Sequence, residues 1–242
     1  VLPAGAHAIA NQLRAAAVFR RHGGLLWGIG ARISDGVAQR VADQRQIVIV
    51  RGIRIINIQQ GGERPIVAVI DVPSQAYGRR EEAFGIHQAL AGAAGAYAKA
   101  RLAGHPVIGL IVGKAMSGAF LAHGYQANRL IAFNDSGVLV HAMGKESAAR
   151  ITLRTVEALE KLAATIPPMA YDVSNYATLG LLSALLDINN PDAPDDHDLS
   201  LVSNTLRDAI ADARTDASLK CRLGAENRRS SQLVRDRMRA SW

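Results

Sequence analysis

A layered α/β fold is predicted by three observations in the middle of the chain. PIVAVIDV (Pro65 to Val72) is short, apolar and β-branched, as a strand buried on both faces must be. PVIGLIV (Pro106 to Val112) has the same character, and the segment between them places apolar residues at helical spacing. Strand, helix and strand in alternation argue for a sheet layered against helices.

The elements follow in order. RQIVIVRGIRIINI (Arg45 to Ile58) reads as one or two strands, preceded by a helix and a turn. After PIVAVIDV comes the loop VPSQAYGRR, and then a helix expected from about Glu81 to Ala103. Its apolar stripe is Ile86, Leu90, Ala93, Ala94 and Tyr97, with Arg101 at the same spacing. Gly85, Gly92 and Gly95 each cost that helix about 1 kcal/mol relative to alanine, a cost expected where other backbone packs closely. Gly104-His105-Pro106 ends it. PVIGLIV is the second strand, and GKAMSGAFLAHG turns it into a helix from about Ser117 to Ala127. RLIAF (Arg129 to Phe133) and GVLVHA (Gly137 to Ala142) are two more strands. A helix is expected from about Glu146 to Ala164, with Ile151, Leu153, Val156, Leu159 and Leu162 inward, until Pro167 and Pro168 break it. SNYATLGLLSALLDI reads as a helix, NNPDAPDDHD as a polar linker, and Leu199 to Arg222 as a final long helix. A single domain over residues 1–242 is expected, with 1–60 its least defined part and 199–242 a C-terminal helix and basic tail.

Composition narrows the functions. The 242 residues can bury one sizeable core, and 49% hydrophobic with 20% charged residues is an ordinary globular balance. No apolar stretch approaches the roughly 18 residues of a membrane span. The N-terminus has no secretory pattern, so a cytoplasmic location is expected. The lone Cys221 excludes an internal disulfide framework and a cysteine zinc cage. The formal charge is +7, with Arg222, Arg228, Arg229, Arg235, Arg237 and Arg239 crowding the end. Such a run suits nucleic acid, an acidic protein or a phosphate-bearing ligand; the bland reading is a solvated helical tail. Only 5% of residues are aromatic and no nucleic-acid motif accompanies the charge, so no nucleic acid partner is expected.

Chemistry concentrates at GKAMSGAFLAHG. A phosphate-binding loop fails, because Ala115 follows Lys114 and Ile108 stands where its first glycine belongs. A dinucleotide fingerprint at Gly28 and Gly30 fails at Ile33. Ala115-Met116-Ser117-Gly118-Ala119 is small-x-Ser-x-small between a strand and a helix, the frame of a nucleophilic serine, with Asp187 and His197 in order behind it. The other reading uses bare backbone: uncovered N–H groups at a helix start can bind a developing oxyanion if small residues leave them open. His87, His105, His123 and His141 recur at one interval but fall on different elements, so no metal site is expected.

GKAMSGAFLAHG, with RPIVAVIDVPSQAYGRREEAFGIHQAL, VLVHAMGK, PPMAYD and YATLGLL, resembles the gamma subunit of biotin-independent malonate decarboxylases. More broadly the chain resembles one half of an acyl-CoA carboxyltransferase. The resemblance runs from about Arg64 to Ile188 and implies a crotonase-like fold of repeated strand-strand-helix units. It further implies a homologous beta subunit as partner, with the active site between the two chains. The implied substrate is malonyl thioester on the phosphoribosyl-dephospho-CoA arm of an acyl carrier protein, the products being acetyl thioester and carbon dioxide. No biotin or other bound cofactor is implied. Gly118 and Ala119 match the residues whose amides form the oxyanion hole, and Ser117 stands where those enzymes often carry glycine, so its hydroxyl either points elsewhere or helps to bind the malonyl carboxylate as a substrate-binding residue. The loop residues Ser74, Gln75, Tyr77 and Arg79 are then candidates for the malonyl carboxylate or the partner, against the plain reading of a polar surface loop. A hydrolase with Ser117 as nucleophile, or a scaffold whose partner holds the productive hole, remain the alternatives.

Overall fold

The computed structural model describes residues 48–50, 65–75, 78–83, 85–191 and 194–242. The N-terminal helix and turn, and most of the Arg45 to Ile58 strand segment, lie outside the described residues. Among those described, β1 (Val48–Val50), β2 (Ile66–Val72), β3 (Val107–Met116), β4 (Arg129–Phe133) and β6 (Ala184–Leu186) form one sheet in that order. β5 (Val140–His141) pairs with the end of β3, and every one of these pairings is parallel. Parallel strands demand crossovers, and the helices supply them: α1 (Arg79–Ala83) and α2 (Ile86–Leu102) link β2 to β3, and α3 (Ser117–Ala122) links β3 to β4. Then follow α4 (Lys145–Ile151), α5 (Val156–Ala163) and α6 (Val173–Thr178) before β6, with α7 (Asp196–Thr215) and α8 (Arg229–Ala240) last.

Burial is unbroken along Ile66 to Ile70, Val107 to Val112 and all of β4. Successive strand residues point to opposite faces, so unbroken burial means that the sheet is covered on both. α2 lays Ile86, Ala93, Tyr97 and Ala100 into this core. A second, smaller cluster of Met116, Ala148, Leu159 and Tyr171 packs with Leu139, Met143 and Met169.

Several predicted elements are revised. The helix expected over Glu81 to Ala103 is two, because Gly85 takes φ 81, a left-handed conformation that glycine adopts without a Cβ clash. Gly92 and Gly95 face open space, not closely packed backbone. β3 runs on to Met116, and α3 is correspondingly short. The helix over Glu146 to Ala164 is also two: Leu153 turns left-handed at φ 54, and Thr155 starts α5 by accepting the Ala158 N–H at 3.1 Å. Ile151 and Leu153 therefore lie exposed. SNYATLGLLSALLDI ends its helix at Thr178 and becomes strand β6, and α7 stops at Thr215.

The C-terminal part is tied on through buried arginines. Arg129 on β4 is 2% exposed; it donates to the Asp212 carboxylate, to Ser218 O at 3.1 Å and to Asp216 O at 2.8 Å. Asn128 adds a donation to Ala217 O at 2.7 Å. Arg222 is buried rather than part of a solvated tail, donating to Tyr125 O at 2.7 Å and to Ala127 O. The connection between α3 and β4 thus binds the chain after α7 by charge-assisted bonds to carbonyls.

One buried network joins the helices to the sheet. His123, 1% exposed at the end of α3, donates from Nε2 to Val69 O at 3.0 Å and accepts at Nδ1 from the Tyr97 hydroxyl at 2.8 Å. Burial holds the His123 imidazole below its usual pKa and pushes the Tyr97 phenol up.

Arg129→Met is expected to cost about 2–3 kcal/mol by removing charged donors from the Asp212 carboxylate and the Ser218 and Asp216 carbonyls, measured by urea denaturation. His123 binds a proton more readily when unfolded, so stability falls as pH drops below about 6.5 and keeps falling until the depressed folded pKa is reached. The difference in stability between wild type and His123→Gln across that window isolates this contribution.

Candidate functional site

The end of β3 is shaped by Asp71. Ile70 pairs with Ile111 but Val72 pairs with Ala115, so β3 bulges between these positions. Asp71 Oδ1 accepts the Lys114 N–H at 2.9 Å across the bulge. A Cβ on Gly113 would lie 2.4 Å from that oxygen and 2.5 Å from its carboxyl carbon, so only glycine fits there. Beyond the bulge β3 leaves β4 and pairs with β5, Ala115 to Val140 and Met116 to His141. The chain then reverses directly into α3 at Ser117, with φ 60 and its hydroxyl donating to Ala142 O at 2.8 Å. Strand becomes helix with no intervening loop.

The first N–H groups of a helix have no acceptor within it. Here the Ala119 N–H finds one outside: Gln75 Oε1, at 3.2 Å. The same carboxamide stands over Gly118, where a Cβ would be 3.5 Å from Gln75 Oε1 and 3.7 Å from Leu90 Cδ1. Gln75, Gly118 and Ala119, all singled out in the sequence, are thus brought together, with an oxygen already seated on one of the two amides. Ser74 Oγ, beside Gln75, is buried without a partner. Arg79 is exposed at the start of α1, and Tyr77 lies outside the described residues.

The serine-nucleophile constellation does not assemble. Asp187 accepts from Asn134 Nδ2 at 2.6 Å, and the exposed His197 has its Nδ1 3.9 Å from Asp198. Ser117 spends its proton on the Ala142 carbonyl. One grouping of metal-ligand types occurs among the described residues, Asp195, His197 and Asp198. Its carboxylates serve the backbone: Asp195 caps α7 at Asp198 N, 2.8 Å, and Asp198 accepts from Asn189 N at 3.0 Å and Asn190 N at 3.2 Å.

A residue that sequence reasoning left among the histidine series stands next to the turn. His141 lies in register with Met116, stacked on Tyr171 at 3.9 Å between ring centroids and 13° between planes. Its Nδ1 is 3.1 Å from Met143 O and 3.3 Å from Met143 N. Both polar groups of Met143 face Nδ1: a protonated Nδ1 donates to the carbonyl and leaves the lone pair on Nε2, whereas an unprotonated Nδ1 accepts the Met143 N–H. Lys145 Nζ lies 5.5 Å over the Tyr171 ring and bonds Glu160 at 2.6 Å. Burial lowers the His141 pKa, and the Met143 bond partly opposes that. The available signal was the run VLV before His141, which marks a strand end.

Comparison with known proteins places this geometry. A family model described as malonate decarboxylase gamma subunit matches residues 47–242. A Malonomonas rubra protein, malonyl-S-ACP:biotin-protein carboxyltransferase MADD, is 36% identical over 126 residues, 52% of this chain and 43% of the relative. The match therefore spans less than half the length of that relative. The crystal structure of a Pseudomonas malonate decarboxylase hetero-tetramer in complex with coenzyme A is 61% identical, with a TM-score of 0.71 over 76% of this chain and 70% of that one. The Pseudomonas MdcD–MdcE hetero-dimer is 57% identical, with a TM-score of 0.68 over 76% and 69%. The fold is the crotonase-like fold of carboxyltransferases. Among the described residues no helix is long and apolar enough to cross a membrane.

Gly113→Ala is expected to destabilise the chain by about 1–3 kcal/mol, since Asp71 cannot withdraw without releasing the Lys114 amide. Urea denaturation measures the loss.

Proposed function

The chain belongs to the malonate decarboxylase gamma-subunit family, and from that premise we propose that it works with a homologous beta subunit to remove carbon dioxide from malonyl thioester. The thioester is carried on the phosphoribosyl-dephospho-CoA arm of an acyl carrier protein, and no biotin takes part. Support for a two-chain enzyme comes from the MdcD–MdcE hetero-dimer, and support for a CoA-like arm from the relative crystallised with coenzyme A. The curated relative's name joins a malonyl carrier protein to biotin carboxylation. The higher identity, 61%, is to a decarboxylase. The chain's charge of +7 suits an acidic carrier protein and a phosphate-rich arm.

Loss of carbon dioxide leaves the electron pair of the broken C–C bond on the acetyl carbon, delocalised as an enolate onto the thioester oxygen. Donors held in place beforehand stabilise that charge without reorganising. The observation that carries the reading is the Ala119 N–H bonded to the Gln75 carboxamide oxygen. A substrate oxygen takes that seat, and Gln75, displaced, turns its NH₂ group to the malonyl carboxylate. Gly118 supplies the second amide and keeps the approach open. Arg79, at the start of α1, and Tyr77 meet the carboxylate or the partner. Ser117 contributes its backbone to the turn, and its hydroxyl, bonded to the Ala142 carbonyl, takes no part in the chemistry.

Coexpression with the beta subunit, followed by carbon dioxide release from malonyl thioester, tests the function; the chain alone is expected to be inactive. Gly118→Ala should fold normally, because its methyl meets nothing nearer than 3.5 Å. It is expected to lower kcat/KM about tenfold or more by crowding the oxygen's seat. Ser117→Ala is expected to keep much of the turnover, whereas a serine nucleophile would lose nearly all of it.

A further inference from the structure

The amides of α3 stabilise an enolate but cannot finish the reaction, since the acetyl carbon must still gain a proton. Four observations bear on its source. His141 ends β5, and its register partner Met116 immediately precedes the Ser117 turn. Adjacent strands lie about 4.8 Å apart, so the imidazole and the amides rise from neighbouring strand ends on the side of the sheet where α/β sites form. The ring is fixed from two directions, by stacking on Tyr171 and by the contact of Nδ1 with Met143 O at 3.1 Å. Nε2 bonds no protein group among the described residues, although the ring is half-buried.

We propose that His141 is the catalytic residue that protonates the enolate carbon, through Nε2. This rests on the decarboxylase reading above. In its cationic form the ring carries N–H on both nitrogens. As the C–C bond breaks, carbon dioxide departs and its bonding pair stays on the acetyl carbon. That carbon then takes the Nε2 proton, giving acetyl thioester and a neutral ring with its remaining proton on Nδ1, held by Met143 O. A proton from solvent restores Nε2–H, so each turnover consumes one solvent proton. Tyr171 is a positioning residue, since its ring sets the plane of the imidazole. The charged and titratable groups around the pair are Tyr171 itself, Lys145 with its partner Glu160, and Glu146, whose charge acts on Tyr171. Burial opposes a positive charge on the ring. The protonated ring is therefore a stronger acid than a free imidazolium.

The reverse step supplies a test that does not depend on decarboxylation. In the reconstituted complex in D₂O, neutral His141 should remove a proton from acetyl-CoA, so that the methyl group exchanges its hydrogens. His141→Gln is expected to slow this exchange about 100-fold or more, with KM for malonyl-CoA changed less than about threefold. Wild-type exchange should fall at a pH lower than the ordinary imidazole value of about 6.5, where Nε2 acquires its proton, and the variant should lack that limb. Exchange by His141→Gln within threefold of wild type overturns the proposal. Should the variant fail to assemble, a wild-type exchange profile without a limb below about 6.5 overturns it equally. A wild-type complex that releases no carbon dioxide from malonyl-CoA or carrier-bound malonyl thioester would instead sink the decarboxylase reading.

Discussion

The carboxylate of Asp71 accepts the amide of Lys114, and the geometry of the site depends on that bond. By holding a bulge in β3, it lets the strand carry extra residues past β2 and exchange β4 for β5 as its neighbour. A β3 without the bulge would stay alongside β4, and the Ser117 turn would have no Ala142 carbonyl to anchor its hydroxyl. The left-handed backbone at Ser117 is unfavourable for a residue with a side chain, and that anchor compensates for it. After this turn the Ala119 amide meets Gln75. Gly113 is the residue that makes the bond possible, because any Cβ would occupy the place of the Asp71 carboxyl.

The surroundings stiffen this arrangement from both sides. Tyr97, His123 and the Val69 carbonyl join α2, α3 and β2 through one buried imidazole, so the helix bearing the amides cannot slide over the sheet without breaking the network. Arg129, Asn128 and Arg222 bind the chain after α7 to the connection between α3 and β4. These bonds sit where an apolar contact would serve for stability alone. Their directional character fixes register, which a site built on backbone amides requires.

Much of this was legible beforehand. The strands β2, β3 and β4 were plain because fully buried parallel strands are continuous apolar runs. The small residues at Gly118 and Ala119 were legible as open backbone, and Gln75 as a residue of the facing loop. The commonest error was a helix drawn too long. SNYATLGLLSALLDI and the segment Glu146 to Ala164 have helix-forming composition throughout, yet each breaks where a local turn and a new cap compete successfully. Leu153 and Ile151 satisfy a helical stripe in the sequence and lie exposed in the structure, because the stripe is interrupted between them and Leu159. His141 was invisible as a site residue because periodic spacing of histidines says nothing about which strands pair.

By itself, then, the sequence determined the fold class and the positions of its main strands along the chain. These follow from hydrophobic periodicity and residue size, which are local properties. Tertiary structure alone decided that the Ala119 amide meets the Gln75 oxygen, that Ser117 is spent on a carbonyl, and that His141 stands beside the turn. Each of these depends on strand register and on a bulge closed by a residue more than forty positions away in sequence. Register is a cooperative outcome of packing the whole sheet, and no window of residues contains it.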